Sequence, residues 1–514
     1  MSKPTALTRR QALLLSASAT AGLVAAGLPL WAQGAPSAVQ ALPIPTLIET
    51  RNGEPVTLAL QKTQHRFVPG RAVPSQGISA SYLGPVVRVR TGDTVPFRVE
   101  NRLDEETTLH WHGLLVPSHV DGGPHNTIRP GGVWSPEIAI KQPAATTWFH
   151  PHPHGNTARQ VYSGLAGMMI VSDGADPERG IPTTYGIDDL PIVLQDKRFG
   201  RNGEAVYQPD MMDIMHGFQG DTLLVNGVIA PVASVPAGLV RLRLLNAANA
   251  RNFDLRFADR RPFFVIAGDA GYLSEPVEVR SLVIAPAERY ELLVSFADGR
   301  PVDLVTAPDA HHGTGPDMMM QMRPTRRTAG AHRHLLRFRP APDLKAAVTA
   351  LPRRLVTLAA PDVKSAVAWR TFELNPMIGM GMMGMRGGGR VASADHGHSE
   401  GHAQMMGING RSFAIDRIDV TAKLGTAEIW EISTGGMPMA HPVHILGASF
   451  RILSKNGRNP AQYEAGWKDV VLIEEHAEIL VRFDNPAPPR MPFMYHCHIL
   501  EHEDHGMMSQ FAVV

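Results

Sequence analysis

The chain has 514 residues, with 49 lysines and arginines against 48 aspartates and glutamates, a net charge of +1. That balance excludes a basic nucleic-acid surface and gives an acidic partner no reason to bind. A single cysteine excludes an internal disulfide, and the length fits two to four domains. Forty-eight glycines and 42 prolines imply many turns, as in an all-β protein of short strands, while 23 methionines and 23 histidines bias the chain towards metal binding.

At the N-terminus, Thr8-Arg9-Arg10-Gln11-Ala12-Leu13-Leu14 leads into an Ala- and Leu-rich run ending near Leu30, followed by the small residues Ala32 and Gly34. Residues 1–34 therefore read as a twin-arginine-type export signal rather than a spanning helix. This predicts a periplasmic protein carried already folded by the twin-arginine export machinery. No later apolar run is long enough to span a bilayer.

Val87 and Val89, then Gly92-Asp93, then Val95, Phe97 and Val99 alternate around a turn signal and predict an antiparallel hairpin. Similar phrases return at Gly238–Asn246 and Gly425–Ser433, at the spacing of domains rather than of a solenoid. The ends of the first and last units also repeat. Trp148-Phe149-His150-Pro151-His152 answers Met494-Tyr495-His496-Cys497-His498, with Pro151 where Cys497 stands. Three consecutive β-sandwiches are expected, over 40–175, 176–345 and 350–514, the middle one mainly structural. Within the third, residues 375–406 form a Met/His-rich insert. It contains Met377, Met380, Met382, Met383 and Met385, then His396, His398 and His402, and its glycines favour a loop over a packed helix.

The chemistry concentrates in four clusters. Cys497, His502 and Met507 stand five residues apart, supplying the thiolate, imidazole and weak thioether of a blue-copper site that needs one more histidine. His496 and His498 flank the cysteine and would point to the opposite face of a strand, towards a second metal site. His110-Trp111-His112, His150-Pro151-His152 and His441-Pro442-Val443-His444 complete the set, each His-x-His pair on a strand presenting both imidazoles on one face.

With these motifs, and with Thr222–Gly227, Arg241–Asn246 and Ala465-Gly466-Trp467-Lys468-Asp469, the chain resembles the multicopper oxidases. The likeness is greatest to the periplasmic copper-efflux (cuprous) oxidases. The resemblance implies cupredoxin-like Greek-key sandwiches and up to four coppers. His441, Cys497 and His502 would hold the type 1 copper with Met507 axial, and His110 and His444 the type 2 copper. His112, His150 and His498 would hold one type 3 copper, and His152 and His496 the other. Asp121 and Glu503 match the family's proton-delivering acids. Met439 matches a methionine that binds substrate Cu(I), as would Met377 in the insert, whereas Met437 replaces an aspartate.

One position departs from the pattern. The family's third cluster reads His-Pro-x-His-x-His, and here Leu446 takes the last place. The second type 3 copper thereby loses an imidazole, and the expected result is weakened metal or impaired O2 reduction. The resemblance implies an O2-dependent oxidase of Cu(I), monomeric, with small aromatic reductants as further donors. The alternatives are a laccase-like phenol oxidase and a copper-binding or scaffold member.

Overall fold

The computed structural model describes residues 40–310, 332–376, 405–437 and 439–514. The export signal and most of the Met/His-rich insert, including Met377, lie outside the described residues.

Six sheets pair into three sandwiches. The first joins a four-stranded sheet containing Val86–Arg90 and Ala145–Phe149 to a five-stranded sheet containing Val56–His65 and Thr94–Arg102. The second packs six strands, with Leu239–Asn246 near the centre, on five. The third packs two five-stranded sheets, one holding Ala427–Ser433 and the other both His441–Ile445 and Phe493–Cys497. Each has its own apolar interior, and the all-β architecture stands as expected.

The expected hairpin at Gly92 does not form. Val86–Arg90 pairs in parallel with Leu47–Glu49 and with Gly167–Ser172, while Thr94–Arg102 pairs in parallel with Val56–His65 in the other sheet. Alternation is identical for two strands of a hairpin and for two strands that face each other across a core. Here Val87 and Val89 meet Val95, Phe97 and Val99 inside the first sandwich, so the turn is an arch between layers. Gly92 takes φ +97° at its tip, a backbone region open mainly to glycine.

Strand Leu239–Asn246 is buried along its whole length, and its Arg241 and Arg243 are buried with it. Asp176, Asp189 and Glu291 surround them, which satisfies guanidinium groups that would otherwise be very costly inside.

Three short helices matter for the site: α1 (Thr157–Tyr162), α2 (Met211–His216) and α3 (Leu500–Asp504). Asp504 of α3 accepts from the backbone N–H groups of Thr157 and Ala158 at 2.8 and 2.9 Å. That clamp fastens the last sandwich to the first. No helix among the described residues is long and apolar enough to cross a membrane.

Candidate metal centres

The histidine pairs of the first sandwich sit just beyond strands rather than within them. His110 and His150 form an isolated antiparallel bridge, His110 donating to the His150 carbonyl at 2.8 Å and receiving at 3.1 Å. In the third sandwich, strand His441–Ile445 carries His441 and His444. Three residues apart, they point to opposite faces and therefore to different centres.

At the first centre, His441 Nδ1 and His502 Nδ1 lie 3.5 and 3.7 Å from Cys497 Sγ, all buried. His502 Nε2 donates to the Met215 carbonyl of α2 at 3.2 Å, which leaves Nδ1 as the bare nitrogen facing the sulfur. Met507 is fully buried in the same interior, and its backbone is tied to Cys497 and His502. Burial raises the Cys497 thiol well above its usual pKa and holds His441 down to about 4. A metal reverses the first of these effects by binding the thiolate.

The second centre gathers imidazoles from the first and third sandwiches. His110 Nδ1 lies 3.1 Å from the Asp121 carbonyl, and His444 Nδ1 lies 2.8 Å from the Asp469 carbonyl. Each Nδ1–H donates there, so the two Nε2 atoms confront each other as lone pairs at 3.4 Å. His112 and His150 repeat the arrangement. His112 Nε2 lies 3.2 Å from Asp469 Oδ1 and His150 Nδ1 lies 2.8 Å from the Pro151 carbonyl, leaving His112 Nδ1 and His150 Nε2 bare at 3.4 Å. Burial holds His112, His150, His152, His444 and His498 well below the ordinary histidine pKa. Neutral, buried lone pairs in mutual contact are unfavourable until a cation lies between them. The residues fit metal on that ground.

His498 rings pack 5.2 and 5.4 Å from those of His112 and His150, and His152 lies 4.8 Å from His496. Glu503 stands behind the last two, with one carboxylate oxygen 3.1 Å from His152 Nδ1 and the other 3.1 Å from His496 Nδ1. The outward Nε2 atoms of both rings have no hydrogen-bond partner. Asp121 is buried with Oδ2 3.0 Å from His110 Nδ1.

Leu446 is fully buried just past His444, its N–H donating to the Met494 carbonyl at 3.0 Å. It places methyl groups at the position where the family pattern has an imidazole, and the further rings beside His152 and His496 are those of His110 and His444, each at 5.6 Å. His154 packs on Phe413 and joins none of these clusters. Met439 is buried and Met437 is exposed on the rim of a cavity of about 460 Å³ that Thr434, Glu474 and Glu475 also line.

Sequence reasoning gave no role to three groups of residues that touch the ligands from outside. Asp469 was visible in the Gly-Trp-Lys-Asp motif, but its contact with His112 was not. Arg289 and Met215 come from the second sandwich: Met215 meets His502 directly, and Arg289 reaches His112 through Asp469. Glu501, one residue before His502, is bonded to Phe218 N–H and Asn249 of that sandwich at 2.9 and 2.8 Å. Burial pushes its pKa up to about 7.

Three family models, all described as multicopper oxidase, match residues 59–176, 191–304 and 390–514. The cell division protein FtsP of Edwardsiella tarda is 37% identical over 509 residues, covering 99% of each chain. That of Escherichia coli K12 is 36% identical over 507 residues, again covering 99% of each. Among solved structures, the laccase-like multicopper oxidase CueO of Ochrobactrum sp. is 48% identical, with TM-score 0.81 over 92% of this chain and 100% of that one. The metallo-oxidase of Campylobacter jejuni is 25% identical, with TM-score 0.74 over 95% and 99%. From its sandwiches, its buried histidine sets and these matches, the chain belongs to the multicopper oxidase family.

Proposed function

We propose that this protein is a copper-dependent oxidase acting outside the cytoplasm, drawing electrons from Cu(I), and also from phenols, to reduce O2 to water. In this reading it serves copper tolerance. The observation that carries it is the pairing of bare, buried imidazole nitrogens at 3.4 Å behind a Cys497 set, joined through His496-Cys497-His498. Copper would be held by His441, Cys497 and His502 with Met507, by His110 with His444, and by His112, His150 and His498. His152 and His496 would hold the fourth ion alone. Bound copper supplies one-electron chemistry, and several ions together allow a four-electron acceptor to be used.

The protein's own groups have separable tasks. The three-residue His-Cys-His segment links the centres covalently. Glu503 lies 3.1 Å from the Nδ1 atoms of both His152 and His496 and is placed to deliver protons into the second centre. Asp121 orients His110. Met439 and the acidic cavity rim beside His441 supply soft and charged groups for a Cu(I) substrate. The Arg9-Arg10 segment supports export.

Leu446 and the full-length likeness to FtsP favour a second reading, a copper-binding member with impaired O2 reduction. One experiment separates them: a copper count and O2 uptake with Cu(I), beside Leu446→His. Four coppers with brisk uptake in the parent support the oxidase. A blue parent with no uptake, rescued by histidine, establishes the second reading instead.

A further inference from the structure

Helix α2 carries the run Asp210-Met211-Met212-Asp213-Ile214-Met215-His216, whose first two methionines have no role in the packing described above. Met211 is 51% exposed and Met212 is 41% exposed. Among the described residues only Met437 is comparably exposed, and it lies on the rim beside His441. Methionine is a gap-filler of interiors, and two adjacent half-exposed ones on a surface bury little and invite oxidation. Their chemistry is that of neutral, polarizable thioethers, which bind soft cations without releasing a proton.

The helix is held firmly in place. Asp210 and Asp213 form a reciprocal capping box, and Arg198 grips Asp213 through two bonds of 2.8 and 2.6 Å. At its end, Gly217 takes φ +80° and packs so closely that a Cβ there would lie 2.2 Å from Ala250 and 2.8 Å from Ile499. Ile499 is two residues from Cys497. Helical spacing puts Met215 one turn from both Met211 and Met212. Met215 packs against the third sandwich's interior, and its carbonyl accepts from His502 Nε2 at 3.2 Å.

We propose that Met211, Met212 and Met215 form a surface site for a soft monovalent cation, Cu(I), one residue away from the His502 side of the cysteine centre. This is a separate approach from the Met437–Met439 cavity, which lies beside His441. The binding step stands on α2 alone, whereas the electron step rests on the oxidase reading. In that step the substrate gives up one electron and leaves as Cu(II). The acceptor would be the copper that His441, Cys497 and His502 would hold, which would take up that one electron. No proton moves and no protein bond breaks. The Met215 carbonyl, 3.2 Å from His502 Nε2, links the helix to that set.

The test uses the copper-loaded protein, with Ag(I) as a redox-inert probe of thioether sites, and the variant Met211→Leu/Met212→Leu, whose changed side chains are exposed and preserve volume. The variant is expected to bind one Ag(I) fewer. It should also bleach roughly tenfold more slowly when Cu(I) is added without O2, the scale of effect of losing a metal's supporting groups. Bleaching by 2,6-dimethoxyphenol in the same sample reports that the cysteine centre is intact. An unchanged silver count overturns the site. A lost silver equivalent with unchanged Cu(I) bleaching overturns its role in electron entry. If Cu(I) fails to bleach the parent, the oxidase reading falls, and the silver count still decides the site.

Discussion

Arg289 of the second sandwich donates to Asp469 of the third at 2.8 Å, with both side chains buried. Asp469 in turn lies 3.2 Å from His112 of the first, so three sandwiches meet in one contact chain. Because its Nε2 is engaged, His112 presents Nδ1 inward, whereas His110 and His444 present Nε2. The pair therefore selects which nitrogen a metal there would meet. Asp269 and Lys468 extend the network, with Lys468 Nζ 3.0 Å from Asp269 and 2.9 Å from Glu288.

Asp469→Asn keeps the size and removes the charge. The expected result is loss of copper from the histidine centre with the blue band at Cys497 retained, read by copper count and electron paramagnetic resonance. Arg289→Met leaves buried Asp469 without its cation. It should lower the metal-free protein's stability by about 3–5 kcal/mol, the cost of breaking a buried pair, measured by denaturant titration.

Glu503→Gln retains the shape beside His152 and His496 but cannot relay a proton. Rapid-mixing should show reduction of the cysteine centre at the parent rate. Steady-state O2 uptake should fall by about 10² to 10⁴, the usual contribution of a positioned acid. Equal loss of both would make Glu503 a structural residue only.

Seven imidazoles at the two centres are held below the free histidine value by burial, His441 to about 4. In the unfolded chain each protonates near pH 6.5, while in the folded chain it stays neutral. The unfolded state therefore binds more protons below that pH. Stability of the metal-free protein is fully present above pH 6.5 and is lost as pH falls towards 4. The slope is up to about 1.4 kcal/mol per pH unit for each imidazole kept neutral. Calorimetry of metal-free protein from pH 7.5 to 5 should show a steady fall in Tm, smaller once copper is bound. A flat Tm would mean the imidazoles reach water.

Deleting residues 377–406, whose methionines and histidines suit Cu(I), should reduce Cu(I) oxidation more than phenol oxidation. Parallel rates on both substrates, compared before and after deletion, check this. Equal losses would remove the insert from the substrate argument.

Much of the candidate site was legible in the chain because its histidines and cysteine fall in short, repeated motifs. Cys497, His502 and Met507 announced one centre by residue type and spacing. The recurrence of His-x-His at 150–152 and 496–498 announced the partner of the other, and Leu446 stood out against the same pattern. Local periodicity, however, does not say which strand a strand pairs with. The Gly92 turn joined two layers instead of two neighbours because both alternating faces could bury only against each other. Nor does spacing show which ring nitrogen is bare. That depended on carbonyls and carboxylates far away in sequence, such as Asp469 behind His112 and the Met215 carbonyl behind His502. The sequence by itself determined which histidines and cysteine could group together. Only tertiary structure decided their orientation, and the role of the second sandwich, because carbonyls and carboxylates brought in by the fold engage one nitrogen of His110, His112, His444 and His502.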